Sequence, residues 1–230
     1  MSAAHGENAA AREEEAGGSG DTRERLIEAA SRLLAGGGPE AVTMRGVGEL
    51  AGVSRAAPYR HFDDKNDLLR AVAQRSIDAV RTEVVAALPT ADTPPAEVPA
   101  ALRRAFFAYL RDGVDRPEHY RLTFGEHLAD IGSVRETAEE IMQSCVAALT
   151  DGQRAGVIRA GDPRAMAILA WSALHGLVTL ATSGHLARKG LDTPEGGELT
   201  HLVADLVAGL TVREEREPAR RSGRGPAGEP

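Results

Sequence analysis

Cysteine is nearly absent. Cys145 is the only one in 230 residues, so the chain can neither close a disulfide on itself nor assemble a thiolate zinc site. Within a helical pattern, a lone cysteine is expected to act as a small apolar side chain. Aromatic residues are also scarce. They make up 3% of a chain that is 42% hydrophobic, so the core has to be built from Ala, Leu and Val. Ala and Leu favour helix and β-branched runs are few, which predicts an all-α fold. No uninterrupted apolar run approaches the ~20 residues of a membrane span. The acidic N-terminus, with Glu13, Glu14 and Glu15, lacks an apolar signal region, and a cytoplasmic protein is expected. The seven histidines have no metal-ligand spacing. Neither a Gly-rich phosphate loop nor a Ser-His-Asp setting stands out. No metal, cofactor or catalytic residue is therefore expected, and the chain does not read as an enzyme.

Positive charge is in deficit overall, with a formal net charge of -7, but it is unevenly spread. Asp21 to Arg75 carries a local net of +1, and the remainder carries -8. Between Ser54 and Phe62 lie Arg55, Arg60 and His61 and no acid. Screening limits distant charges to a reach of ~8–10 Å, so such a patch can meet phosphates on an otherwise acidic protein.

Cap and stop signals divide the chain into about nine helices. Residues 1–20 have no apolar periodicity and read as a disordered arm. Residues 213–230, rich in Arg, Gly and Pro, read as a disordered tail. The first helix is predicted to begin at Asp21, where Asp21 and Glu24 form a capping-box variant, and to end at Gly36-Gly37-Gly38-Pro39. Thr43 caps a second helix carrying Met44, Val47, Leu50 and Ala51, and Gly52 stops it. Ser54 is expected to cap a third, short helix running to about His61. Asp63 or Asp64 caps a long fourth helix that ends near Pro89, ahead of a proline-rich connection. Further helices carry Leu102 to Leu110, Pro117 to Leu128 and Val134 to Arg154. Asp162-Pro163 starts the eighth, and Thr193-Pro194 is expected to start the ninth.

The segment Thr43 to Lys65 is two short capped helices around a glycine turn, the arrangement that holds a second helix against a major groove while the first braces it. Arg55, Tyr59, Arg60 and His61 supply donors on the second helix. The same stretch closely resembles the TetR family of regulators. The likeness rests on Thr43, Gly52-Val53-Ser54, Tyr59-Arg60-His61-Phe62 and Lys65, with Leu68 and Leu69. The resemblance implies a DNA-binding regulator, most simply a ligand-released repressor that binds a near-palindromic operator as a homodimer. It implies that Arg45, Arg55, Ala56 and Ala57 approach base edges. Thr43, Ser54, Tyr59, His61 and Lys65 would then hold phosphates. Two residues depart from the family pattern. Pro58 stands where relatives carry Leu or Ile, and its missing N–H is expected to alter the first turn. Gly48 stands where relatives carry Ala, at a loss of helix propensity.

Trp171-x-x-x-His175-Gly176, with the Pro117 to Gly125 stretch and Gly161-Asp162-Pro163, resembles the C-terminal domain of the same family that bears a Trp-His-Gly signature. The division implied is a DNA-binding domain over 21–67 and a ligand-binding and dimerisation domain over 68–212. The resemblance implies a pocket for a small apolar effector. Its candidate lining is Phe106, Phe107, Leu110, Tyr120, Phe124, His127, Met142, Cys145, Trp171 and His175. His175 lies four residues after Trp171, on one helical face, so both are expected to line one cavity. The apolar stripe Leu199, Leu202, Val203, Leu206 and Leu210 is too greasy to leave wet. With Ala170, Ala173, Leu177 and Ala181 it suits a two-fold four-helix interface.

Overall fold

A computed structural model describes residues 4–125, 132–186, 188 and 197–212, with side chains from Gly20 onward. Among them the chain is all-helical: α1 (Ala4–Ala41), α2 (Met44–Leu50), α3 (Ala57–His61), α4 (Lys65–Ala87), α5 (Val98–Asp115), α6 (Pro117–Phe124), α7 (Gly132–Arg154), α8 (Pro163–Thr182) and α9 (Glu198–Leu210). An isolated bridge, Ile158 to Thr211, fastens the turn after α7 to the end of α9. The backbone is already helical from Ala4, upstream of the expected start at Asp21 and within the stretch read as a disordered arm. Ala9 to Ala11 and Glu13 to Glu15 are good helix formers, and propensity does not need the amphipathic face on which the expectation relied. The tail at 213–230 lies outside the described residues, as do Leu128 and the Thr193-Pro194 signal. α9 itself begins after Gly197 in the left-handed conformation, without a side-chain cap.

Local chemistry sets the other boundaries. Gly38, at φ +67 and ψ -171, breaks the path of α1 where only glycine sits without strain. The Thr43 hydroxyl accepts the Gly46 N–H at 3.1 Å. The Asp64 carboxylate accepts the Asp67 N–H at 2.7 Å, and Asp67 in turn accepts the Asp63 N–H at 3.2 Å. Asp162 accepts the Arg164 N–H at 3.0 Å, with Pro163 at the first helical position.

Two apolar cores result. The first gathers Leu26, Ala30 and Leu34 of α1, Val47 of α2, Phe62, and Leu68, Leu69, Val72 and Ile77 of α4. Leu122 of α6 and Val134 of α7 also join it. The second gathers Val80 and Val84 of α4 and Leu88 just after it with Leu102 and Leu110 of α5, Leu149, Leu174 and Val178, and Val203 and Val207 of α9. Each fully buried leucine here is worth ~1.5–3 kcal/mol. α4 runs through both cores, so the division expected at 67/68 passes through a helix of the first. Gly113 lets α5 approach its neighbours closely, since a Cβ there would lie 2.7 Å from Val178 and 2.8 Å from Tyr120.

α8 corrects one expectation. It is 20 residues long with a mean hydropathy of 1.6, long and apolar enough by length and composition to cross a membrane. Ser172, His175 and Gly176 interrupt the run, which is why it escapes a search for unbroken apolar stretches. Its buried side, Met166, Ala167, Ala170, Leu174 and Val178, belongs to the second core. Its other side is exposed at Leu169, Ala173 and Leu180, with Gly176 open on the same stripe. Most of the expected interface set lies on the covered side of α8 and α9. Ala170, Leu199, Val203 and Leu210 are buried within the chain's own core, and Leu177, Ala181 and Leu206 are partly so. Ala173 and Leu202 alone of that set are exposed.

Candidate nucleic-acid interface and candidate effector cavity

α2, the turn at Gly52 and α3 form one outward face. Gly52 takes φ +68, and the Val53 N–H returns to the Gly48 carbonyl at 3.0 Å. Thr43, Arg45, Ser54, Arg55, Ala56, Tyr59 and Arg60 are exposed, and His61 and Lys65 are half-buried. Tyr59 is 63% exposed, so its ring is not a packing element of the chain itself. Three expectations change. Ala57 is 2% exposed and cannot reach a base edge. Leu50 lies on the surface, not in the core. Ser54 contributes its carbonyl, which accepts the Ala57 N–H at 3.0 Å, and its side chain caps nothing. Pro58 explains the last of these. Without an N–H it cannot take the Ser54 carbonyl as an α-helical partner, so α3 starts later, at Ala57, with Pro58 in its first turn.

The face carries one acid that the sequence reading did not weigh. Glu49 accepts a hydrogen bond from Arg45 at 2.8 Å, which lowers the Glu49 pKa and raises that of Arg45. The charge of Arg55 adds to the Glu49 shift. Arg55 and Arg60 have no carboxylate partner among the described residues. Lys65 lies 3.8 Å from Glu40. Behind the face, the Arg23 guanidinium sits 5.2 Å from the centre of the buried Phe62 ring, a cation–π contact that fixes α1 on α3.

The second core encloses a cavity of about 440 Å³ between α4, α5, α7 and α8. Phe106, Phe124, Met142, Cys145 and Trp171 line it, as expected from sequence. Phe107, Leu110, Tyr120 and His175 do not reach its surface, and His127 lies outside the described residues. Sequence reasoning missed Tyr109 on α5 and the charged rim of Arg135, Glu139 and Arg164. Burial pushes the Cys145 thiol up to about 11, which leaves it protonated and unreactive.

Tyr120 and His175 form the wall behind the cavity. The Trp171 and His175 rings are 5.5 Å apart, so the four-residue spacing does bring them together, but only Trp171 faces the open space. Burial lowers the His175 pKa, and its Nδ1 lies 2.5 Å from the Tyr120 hydroxyl, within hydrogen-bond distance. The Tyr109 and Tyr120 hydroxyls are 3.0 Å apart. Burial pushes Tyr109 up to about 12, with its hydrogen bonds to Tyr120 and Trp171 acting the other way. One residue along α6, His119 turns toward the other domain, where its Nε2 meets the Ser31 hydroxyl of α1 at 2.7 Å. Burial, and then the Arg116 charge, lower the His119 pKa against the pull of Glu118 and Glu28.

These two halves match two family profiles. Residues 26–72 match the bacterial regulatory proteins of the tetR family, and residues 102–206 match the tetracyclin repressor-like C-terminal domain. The HTH-type transcriptional regulator BetI of Rhizobium meliloti is 37% identical over 86 residues, which is 37% of this chain and 42% of that protein. The HTH-type transcriptional activator FasR of Mycolicibacterium smegmatis is 30% identical over 131 residues, 57% of this chain and 58% of that protein. The chain thus spans about half the length of these curated relatives. A solved structure of a protein of unknown function from Rhodococcus sp. RHA1 superposes with a TM-score of 0.70 at 27% identity, covering 83% of this chain and 96% of that one. With both domains matched and the helical order shared, the chain belongs to the TetR family of bacterial transcriptional regulators.

Proposed function

We propose that the protein is a ligand-responsive DNA-binding regulator, not an enzyme, that works in the cytoplasm. As a homodimer it sets two copies of α3 in successive major grooves of a near-palindromic operator. The observation that carries this reading is the outward face of α2 and α3, where Arg55, Tyr59 and Arg60 stand exposed. Among the described residues neither arginine is locked in an ion pair, Arg55 acting on Glu49 through its charge alone. Arg45 and Arg55 are placed for base edges, with Ala56 beside them. Thr43, Ser54, Tyr59, His61 and Lys65 hold phosphates, and Arg60 adds charge. An arginine that pairs bidentately with guanine discriminates by ~1–3 kcal/mol.

Dimerisation uses the exposed Leu169, Ala173 and Leu180 and the half-buried Gly176 of α8 with Leu202 of α9. A Cβ on Gly176 would meet nothing within 4 Å in its own chain, so the position is free for close approach by a second helix. The cavity takes a small, largely apolar effector. By binding one spacing of the two reading helices better than the other, the effector releases the operator. The shift passes along α4, which belongs to both cores, and through α6, which links Tyr120 to Ser31 by way of His119. Release by ligand makes the protein a repressor. The likeness to FasR, a transcriptional activator by name, favours activation as the second reading, and a promoter–reporter fusion in a deletion strain separates the two.

A gel-shift titration on a palindromic fragment of the protein's own promoter region tests the interface. Binding should fall steeply with salt. Arg55→Ala combined with Tyr59→Ala should weaken it by at least about tenfold. Equal affinity for this double variant and the parent protein would refute the assignment.

A further inference from the structure

The cavity is not uniformly apolar, and its polarity is one-sided. Among the described residues, charge enters its lining at Arg135 and Glu139 of α7 and Arg164 of α8. Arg164 is occupied, with its guanidinium 3.3 Å from the Glu139 carboxylate. Arg135 is exposed and has no hydrogen-bond or ion-pair partner among the described residues. The rim therefore presents one satisfied ion pair and one uncommitted guanidinium above an interior of Leu102, Phe106, Met142 and Leu149.

We propose, resting on the reading of this cavity as the effector site, that the effector is an amphiphilic monoanion. Its apolar chain or ring lies in the cavity, and its single carboxylate is received by Arg135. A planar guanidinium fork matches a carboxylate with two parallel hydrogen bonds. A wholly apolar guest would leave that fork to water and gain nothing from it. A cationic guest would face Arg135, and the one rim carboxylate among the described residues already serves Arg164. A dianion would find one free guanidinium for two charges. Size gives a second bound. At the ~30 Å³ a water-sized group occupies, a space of this volume holds on the order of a dozen non-hydrogen atoms. That is the size of a medium-length fatty carboxylate.

Trp171, the single tryptophan of the chain, lies on the cavity wall, so its fluorescence reports occupancy directly. The test titrates the full-length protein with decanoate, decan-1-ol and decylammonium, in parallel with Arg135→Gln. Because Arg135 is exposed, the substitution should leave the fold intact, which circular dichroism checks. Decanoate should bind at least about tenfold more tightly than decanol, and decylammonium most weakly. In Arg135→Gln, decanoate should fall to the level of decanol while decanol is unchanged. Equal binding of decanol and decanoate, or a carboxylate preference that survives Arg135→Gln, would overturn the proposal and leave the effector cavity standing. Failure of all three probes to change the Trp171 signal would overturn the cavity reading together with it.

Discussion

Gly48 and Pro58, the two positions at which the reading head departs from the family pattern, touch each other, and their coupling can be measured. A Cβ built on Gly48 would lie 3.2 Å from Pro58 Cγ, 3.6 Å from Cδ and 3.7 Å from the Ser54 carbonyl oxygen. Carbon atoms prefer ~3.5–4.0 Å, so the nearest contact is short by a few tenths of an ångström. A flexible side chain could rotate away, but a pyrrolidine ring closed on its own backbone cannot, and the displacement passes to α3. Replacing a helix-interior Gly by Ala should gain ~1 kcal/mol in propensity. Overpacking a buried contact costs ~1–3 kcal/mol. Gly48→Ala alone should therefore be neutral to destabilising, by up to ~2 kcal/mol, whereas in a Pro58→Ala background it should stabilise by ~1 kcal/mol. The assay is urea unfolding of all four proteins at one fixed protein concentration, because the proposed dimerisation would make stability depend on concentration. The coupling energy should be ~1–3 kcal/mol, and each kcal/mol shifts Tm by ~2–4 °C in a chain of this size. Operator affinity should follow, reduced in Gly48→Ala and restored in the double variant. The same stabilisation by Gly48→Ala in both backgrounds would refute the reasoning.

Two further outcomes follow from charge. Glu49 is the acid that holds Arg45 on the face proposed to meet DNA, so Glu49→Gln should tighten operator binding by about two- to fivefold at low salt, less as salt rises. Unchanged or weaker binding in a fluorescence-anisotropy titration would mean that Arg45 does not meet the duplex. The pH dependence has a definite sign. His119 and His175 are both held below their ordinary value of 6.5, chiefly by burial, so the unfolded chain takes up protons first as pH falls. Their contribution to stability is complete above about pH 6.5 and is lost below it. Tm should drop between pH 7.5 and pH 5.5, and His119→Gln should flatten that drop. A Tm that rises on acidification would contradict the buried, neutral state of both rings.

The helical architecture was legible wherever a cap carried it. Thr43, Asp64 and Asp162 each accept the backbone N–H that their position demands. Ser54 misled for a physical reason, since a cap residue followed four positions later by proline loses the helical bond that would confirm it. The cavity was half legible. Phe106, Met142 and Trp171 were legible through the family resemblance, and Trp171, 40% exposed, is not marked by burial. Periodicity identifies a buried face but not which part of that face borders open space. Leu110 therefore packs solid, and Tyr120 and His175 form the wall behind. Periodicity fails on α8 for the same reason, because Ala170 and Leu169 are both apolar and only packing decides which is covered. Arg135 and Arg164 were invisible because in sequence a rim charge is indistinguishable from any solvated one.

The two domains are joined in a way that limits how strongly they can communicate. α4 contributes to both cores, so moving it requires repacking Leu69, Val72 and Ile77 at one end and Val80 and Val84 at the other. Such cores are close-packed and resist continuous deformation. α6 offers a softer route. Tyr120 is fixed by hydrogen bonds to Tyr109 and His175 beside the cavity, and the next residue back, His119, holds α1 through Ser31 alone among side-chain hydrogen bonds. A ligand that displaces Trp171 or Tyr109 loads this short helix first. A net hydrogen bond is worth ~0.5–1.5 kcal/mol, and allosteric coupling energies run at ~1–3 kcal/mol. One or two bonds made in one state and broken in the other are therefore enough to change operator affinity by about five- to a hundredfold. The larger energy stored in the α4 cores is better suited to keeping the two end states discrete than to moving between them.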